Sequence, residues 1–183
     1  MKKVCVFLAD GFEEIEGLTV VDILRRAGVE TETVSVMGRK QIHGSHDILV
    51  EADKLFEEAD IAAADMLVLP GGMPGTLNLK AHEGLKGQLL AFDSQGKYLA
   101  AICAEPTVLS ELGLLKGKKA CAYPSFEDQL DCGEVLRVPT VTDGNITTGR
   151  GMGAAIPFAL KLTAILCGEE KAEEVKASIV YEG

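Results

Sequence analysis

The 183-residue chain has little of what metal sites, disulfide scaffolds and aromatic platforms require. It contains no tryptophan, only 5% aromatic residues and three histidines. Its cysteines, which are odd in number, stand at Cys5, Cys103, Cys121, Cys132 and Cys167, without metal-ligand spacing or the density of a disulfide-rich protein. We therefore expect reduced thiols, no bound metal and no disulfide framework.

Positive charge is also scarce. Eighteen Lys and Arg against 28 Asp and Glu give a net charge of -10, spread along the chain. Nucleic acids and anionic membranes bind basic surfaces. The charge balance therefore argues against both as partners.

A long apolar run is missing near Met1. Only about six apolar residues precede Asp10, too few for a signal-peptide core or a membrane span. We therefore expect a cytoplasmic protein. At this length a hydrophobic content of 47% fills one core, so residues 1–183 are predicted to form a single domain.

Short apolar runs bounded by turn residues alternate with helical patterns. Strands are predicted at residues 4–9, 33–36, 66–69, 98–102, 119–122, 134–142 and 146–148, a hairpin at 41–43 and 48–51, and helices at 18–27, 85–94, 105–112 and 153–167, with a second short helix after Gly168. Near-continuous apolar strands indicate a sheet covered on both faces. The sequence predicts a doubly wound α/β sandwich with ligands beyond the carboxyl ends of its strands.

Cys103 stands where the most uniformly apolar strand, 98–102, runs directly into a helix. Backbone N–H groups at a helix start point at such a side chain, and this favours a thiolate. Pro106 suits an early helical position, where no N–H donor is needed. An inert buried cysteine is the commoner alternative at a strand end, but the small residues Ala100, Ala101 and Ala104 leave room for a ligand.

Two other predicted strands end in loops that suit the same site. The first is followed by Glu13, Glu14 and Glu16; for Glu13 and Glu14 a solvated helix-start charge is the preferred interpretation. Glu16 would meet the thiol if the first strand and the cysteine strand were neighbours. The strand at 66–69 ends at Gly71-Gly72, which either presents N–H groups to an oxyanion or forms a simple tight turn.

These segments, in their order and spacing, resemble the DJ-1/ThiJ/PfpI superfamily, and most of all its DJ-1 and bacterial YajL branch. The resemblance spans nearly the whole chain and rests on residues 11–16, 22–28, 69–72, 100–104 and 148–153. It implies a flavodoxin-like fold, a homodimer, and no metal or organic cofactor. It also implies Cys103 as the nucleophile, Glu16 as a protonated acid beside it, and the amides of Gly72 and Ala104 as the oxyanion hole.

The chain departs from its relatives near the cysteine. Tyr123 stands where some relatives have a histidine, and Ala104 where peptidase-like relatives have one, so a Cys-His protease is disfavoured. Glu105 replaces a glycine or alanine. A first-turn charge favouring the helix dipole is the preferred interpretation of Glu105; the alternatives are a narrower pocket or opposition to the thiolate.

Further pocket residues are expected at Gly71, Arg26 and His46, the last two as substrate-anchoring groups near a dimer interface in this family. A solvated arginine and a lone surface histidine are the commoner cases.

The resemblance implies activity on small reactive aldehydes or dicarbonyls in stress protection. Cofactor-independent conversion of methylglyoxal to lactate, or deglycation, is the leading hypothesis. The alternatives are a redox-sensing or chaperone-like protein that uses oxidation of Cys103 without turnover, and a dimeric scaffold that has lost catalysis. All use the same residues, so the sequence does not separate them.

Overall fold

The computed structural model describes residues 1–183, which form eleven strands and six α-helices. The strands are β1 Lys3–Leu8, β2 Glu30–Ser35, β3 Gln41–His43, β4 Leu49–Glu51, β5 Lys54–Leu55, β6 Met66–Leu69, β7 Tyr98–Ile102, β8 Lys119–Ala120, β9 Glu134–Val135, β10 Thr140–Asp143 and β11 Ile146–Gly149. The helices are α1 Glu14–Arg26, α2 Gly75–Ala81, α3 Glu83–Ser94, α4 Pro106–Glu111, α5 Ala155–Cys167 and α6 Glu169–Ser178. No helix is both long and apolar enough to cross a membrane.

The central sheet has seven strands in the order β10-β11-β7-β6-β1-β2-β5. All neighbours pair in parallel except β10 and β11, which pair antiparallel. β6 is buried along its whole length, as is β1 after Lys3. The mostly parallel α/β fold predicted from these apolar runs is confirmed.

Two hydrophobic clusters cover the faces of this sheet. Alternate side chains of β1 enter them: Val4 and Val6 lie in the cluster that includes residues of α1 and α5, whereas Cys5 and Phe7 lie in the cluster with residues of α3 and α4. This is the two-residue period of a strand buried on both sides. The sheet is thereby held between two layers of helices.

The predicted strand at 134–142 is wrong as a single element. The structure divides it into β9, which pairs with β8 in a separate small sheet, and β10, which pairs with β11. Pro139 lies in the interruption, and a proline has no N–H to donate to a ladder. The strand predicted at 119–122 ends at Ala120, and the two short elements β5 and α2 were not predicted.

The strand order decides which loops meet. β6 lies between β1 and β7, so the strand carrying Cys103 is not a direct neighbour of the first strand. All three are parallel, and their carboxyl ends lie at one edge of the sheet. The Gly71-Gly72 exit from β6 therefore lies between the Cys103 turn and the Glu16 helix.

Candidate active site

Cys103 occupies a tight turn between β7 and α4. Its φ of +68° lies in the left-handed region, which is uncommon for a residue other than glycine. Two backbone hydrogen bonds hold it there: the Cys103 N–H donates to the Gly149 carbonyl at 2.9 Å, and the Tyr123 N–H donates to the Cys103 carbonyl at 2.9 Å. Such conformations persist where the surrounding structure fixes them, and they cluster at functional sites.

Glu16 projects from the first turn of α1 and is only 1% exposed. Its carboxyl lies against the Cys103 thiol. The Gly71 N–H donates to Glu16 Oε2 at 2.9 Å. The structure thus brings Glu16 and Cys103 together across the end of β6.

The two glycines after β6 permit this approach. A Cβ added to Gly71 would lie 2.6 Å from Cys103 Cβ and 2.7 Å from Glu16 Oε2. Gly72 has a φ of +98°, and a Cβ there would lie 2.3 Å from the Glu13 nitrogen. A side chain at either position would enter space already filled by its neighbours.

The amides expected near the sulfur are also in place. The N–H groups of Gly72 and Ala104 face the Cys103 thiol and favour its anionic form. Ala104 is buried. An anion on the Cys103 sulfur would therefore be stabilised by these backbone dipoles.

The pKa values of the two side chains are strongly shifted. Burial is the main cause that raises the pKa of Glu16, to about 7. Burial and the adjacent Glu16 carboxylate raise the pKa of Cys103 to about 12, against the opposing effect of the Ala104 and Gly72 amides. The sequence predicted a thiol pKa lowered at the helix start; in the structure the Ala104 and Gly72 amides act in that direction, but burial and an ionised Glu16 outweigh them.

The two groups titrate as a pair. Each negative charge disfavours the other, so the pair loses its first proton near neutral pH and its second only in alkaline solution. When the second proton is on Glu16, the repulsion of the thiolate disappears and the Gly72 and Ala104 amides stabilise the sulfur anion. A proton shift between the partners therefore produces a nucleophile and an acid together.

Glu105 differs from the first-turn charge expected of it. The residue is 0% exposed, and neither carboxyl oxygen has a hydrogen-bond partner. Burial raises its pKa well above that of an ordinary glutamate. A dipole-stabilised surface carboxylate is therefore the wrong description, because a lone charge at this position would be desolvated.

Tyr123 lies beside Cys103 and Arg26 does not. The Tyr123 backbone N–H donates a hydrogen bond to the Cys103 carbonyl, and the Tyr123 side chain is half exposed. Arg26 pairs with Asp22 at 2.9 Å. Ten residues of α1 separate Arg26 from Glu16, about 15 Å along a helix axis. Arg26 instead lines a separate cavity of about 660 Å³ on the outer side of α1.

The β3–β4 hairpin was predicted, but its contact with Glu14 was not. His46 Nδ1 lies 3.1 Å from Glu14 Oε2, and the His46 N–H donates to Glu14 Oε1 at 2.8 Å. Burial opposes ionisation of Glu14, but backbone and His46 hydrogen bonds lower its pKa to about 2. Glu14 is therefore a buried structural carboxylate and not the solvated charge expected.

Glu13, Glu14 and His46 place three potential metal-ligating atoms within 4.8 Å of one another. Glu13 is partly buried at the edge of this group. The adjacent carboxylates and the histidine of the hairpin turn are visible in the sequence. Their convergence depends on the hairpin folding over the start of α1.

The sequence and the fold are similar to those of known proteins. The sequence model of the DJ-1/PfpI family matches residues 2–165. Protein dj-1beta of Drosophila melanogaster is 38% identical over 182 residues, covering 98% of this chain and 97% of that protein. Glutathione-independent glyoxalase DJ-1 of Schizosaccharomyces pombe is 31% identical over 189 residues, covering 98% of both chains.

A solved structure described as Toxoplasma gondii DJ-1, oxidized, has a TM-score of 0.93 and 38% sequence identity, with all of both chains covered. Some relatives are longer: the chain spans 46% of Protein DJ-1 homolog A of Arabidopsis thaliana, at 36% identity over 182 residues and 98% of this chain. The family match covers most of the chain, and the fold and sequence agree over its full length. The chain therefore belongs to the DJ-1/PfpI family.

Proposed function

We propose that this protein is a cofactor-independent cysteine enzyme that converts small reactive dicarbonyls, with methylglyoxal as the representative substrate and lactate as the product. Deglycation of dicarbonyl adducts would use the same nucleophile on the carbon that bears the adducted thiol or amine, with that thiol or amine as the leaving group, and either activity would protect the cell under stress. The observation that carries the proposal is the one-proton pair of Cys103 and Glu16 beside the Gly72 and Ala104 amides. The name of the Schizosaccharomyces pombe relative supports the same substrate class.

The first step is addition of the Cys103 thiolate to the aldehyde carbon. A carbon–sulfur bond forms, and the carbonyl π electrons move to the oxygen. The Gly72 and Ala104 amides stabilise that oxyanion, and the proton held by Glu16 neutralises it to give a hemithioacetal. Glu16 is then a carboxylate.

The second step is a proton transfer between adjacent carbons. The Glu16 carboxylate removes the proton from the former aldehyde carbon, which gives an enediolate, and returns it to the neighbouring carbonyl carbon. The hydroxyl proton of the former aldehyde carbon moves to the oxygen of that neighbouring carbon, so that a new C=O forms beside the sulfur. This leaves a lactoyl thioester on Cys103. Water hydrolyses the thioester, so that one methylglyoxal and one water give one lactic acid and the thiol is regenerated.

The test is lactate formation from methylglyoxal without glutathione. Cys103→Ser is expected to abolish turnover, because a hydroxyl lacks the accessible anionic state of a thiol. Cys121→Ser is the control, since Cys121 is buried and donates to the Thr148 carbonyl at 3.3 Å instead of facing Glu16. Equal turnover in wild type and Cys103→Ser would contradict the proposal.

A redox-sensing function is the second candidate, and the amides that face the Cys103 thiol support it. Cys103 is partly exposed beside amides that can hold a sulfinate, whereas Cys5 and Cys121 are buried. Graded peroxide followed by peptide mass spectrometry is expected to show Cys103 oxidised before the exposed Cys167. If Cys167 oxidises first or together with it, Cys103 is not a dedicated sensor.

We also propose that the protein is a homodimer. An outer groove beside α1 includes three exposed apolar side chains: Ile15 at 49%, Ile48 at 52% and Val180 at 78% exposure. A second copy would remove this surface from water. Light scattering is expected to give twice the chain mass for wild type and a lower mass for Ile15→Asp.

A cytoplasmic location is a further proposal, supported by the cysteines. All five are free in the structure, as is usual in a reducing compartment. Cell fractionation with an antibody to the protein tests the location. Recovery in a secreted or membrane fraction would contradict it.

A further inference from the structure

Glu105 and Thr76 are two buried polar side chains without partners. Glu105 is 0% exposed and Thr76 is 2% exposed. Neither the Glu105 carboxyl oxygens nor the Thr76 hydroxyl makes a hydrogen bond of normal geometry, although the hydroxyl faces the carboxyl. An ionised carboxylate without a partner is too costly to bury, so Glu105 is a neutral acid in the folded protein.

The two residues join the segments that carry the amides facing the sulfur. Glu105 directly follows Ala104, whose carbonyl accepts the Thr107 hydroxyl at 2.7 Å. The Thr76 N–H donates to the Gly72 carbonyl at 2.9 Å. A contact between Glu105 and Thr76 therefore links the turn that presents the Ala104 amide to the turn that presents the Gly72 amide.

We propose that Glu105 is a positioning residue: as a neutral acid it links these two turns through Thr76, and its ionisation suppresses the Cys103 thiolate. The proposal relies on the proposed function only in taking the thiolate as the reactive species. It assigns a role to a carboxyl that the dicarbonyl mechanism does not use.

The direction in which ionised Glu105 shifts the pKa of the Cys103 thiol follows from the groups around Glu105. It faces Thr76 and Glu16, and Cys103 lies two residues earlier in the chain. None of these is basic, so nothing among them offsets a second negative charge. As pH rises and Glu105 ionises, its charge raises the pKa of the neighbouring thiol and lowers the thiolate fraction.

The test is the rate of Cys103 alkylation by iodoacetamide between pH 6 and pH 10. Mass spectrometry of the Cys103 peptide is needed because Cys132 and Cys167 also have exposed surface. Glu105→Gln keeps a polar side chain of the same shape but cannot ionise. We expect it to match wild type where Glu105 is still protonated and to react faster in the alkaline range where Glu105 of the wild type ionises, by about tenfold for each pKa unit by which that charge raises the pKa of the thiol.

Two further variants separate positioning from charge. Glu105→Ala and Thr76→Val each remove one end of the link, and we expect both to react more slowly than Glu105→Gln at neutral pH. Glu127→Gln is the control, because Glu127 is a buried carboxyl already paired with Arg137 at 3.1 Å and Arg150 at 3.4 Å. Its profile should follow that of wild type.

Superimposed profiles for wild type, Glu105→Gln and Glu105→Ala would overturn the proposal and leave Glu105 as a space-filling side chain. If Glu105→Ala fails to fold, the comparison of wild type with Glu105→Gln still decides the question. Alkylation needs no dicarbonyl. A wild-type protein that makes no lactate but shows the Glu105→Gln shift would therefore refute the proposed function alone.

Discussion

Substitution of Gly71 by alanine tests whether close packing at the end of β6 creates the reactive pair. The added Cβ would lie 2.6 Å from Cys103 Cβ, 2.7 Å from Glu16 Oε2 and 2.9 Å from the Ile102 carbonyl oxygen. Two of these neighbours are the reacting residues and the third is backbone. Only the Glu16 oxygen is the end of a flexible side chain; the Cys103 Cβ and the Ile102 carbonyl oxygen cannot move aside without the backbone.

The expected size of the effect follows from these overlaps. Ordinary contacts begin near 3.4 Å, so relief requires a displacement of several tenths of an ångström. Overpacking of this kind costs about 1–3 kcal/mol of stability. A misplacement of about 1 Å at a reacting group costs on the order of 100-fold in rate. We therefore expect Gly71→Ala to lose about 1–3 kcal/mol of stability and up to about 100-fold in rate, while remaining folded.

Gly87→Ala is the matched control. Gly87 lies inside α3, and a Cβ there would meet nothing within 4 Å. Alanine in a helix interior is favoured over glycine by about 0.5–1 kcal/mol, so this variant should be slightly more stable.

Thermal unfolding measures the stabilities of both variants, and Cys103 alkylation and lactate formation measure their reactivity. Wild-type reactivity in Gly71→Ala would show that close packing at Gly71 does not organise the pair.

Three further predictions concern carboxyl groups. Glu16→Gln should lower kcat/KM for lactate formation by about 10²–10⁴, since it removes the proton carrier; turnover within twofold of wild type would exclude Glu16 from that role. Glu105 has a raised pKa when folded, so the stability it contributes is lost as pH rises through that pKa. Urea unfolding should therefore show Glu105→Gln more stable than wild type in alkaline solution, and parallel pH curves would contradict this. Glu14 has a lowered pKa of about 2, so its contribution is present above the unfolded pKa and lost as pH falls from about 5 towards 2. The stability of Glu14→Gln should therefore fall less than that of wild type over this pH range. Equal losses of stability in the two proteins would contradict the prediction.

Many strands and helices of the fold could be predicted from local patterns in the sequence. The buried strands β1, β6 and β7 and the helices α1, α3 and α5 correspond to apolar runs and helical periods, each ending at a turn residue. Which strands pair with each other was harder to predict from the sequence. The segment 134–142 has the composition of one strand, but Pro139 interrupts it and its two halves join different sheets.

The candidate site also has features that the sequence predicted and features that only the structure showed. The sequence alone placed Cys103 at a strand-to-helix turn, Glu16 in the loop just before a helix and the paired glycines at a strand exit, because each depends on nearby residues. The structure begins that helix at Glu14, so Glu16 lies in its first turn. Only the tertiary structure decided that β6 separates the two strands and that Gly71 lies between their side chains.

The charge states of Glu14, Glu16 and Glu105 also depended on the tertiary structure. All three are glutamates at helix starts, and the sequence gives them similar surroundings. In the folded protein Glu14 gains hydrogen bonds from the hairpin, Glu16 is buried against a thiol, and Glu105 is buried without a partner. Desolvation and hydrogen bonding come from residues distant in the chain, and so the pKa of each carboxyl was fixed only by folding.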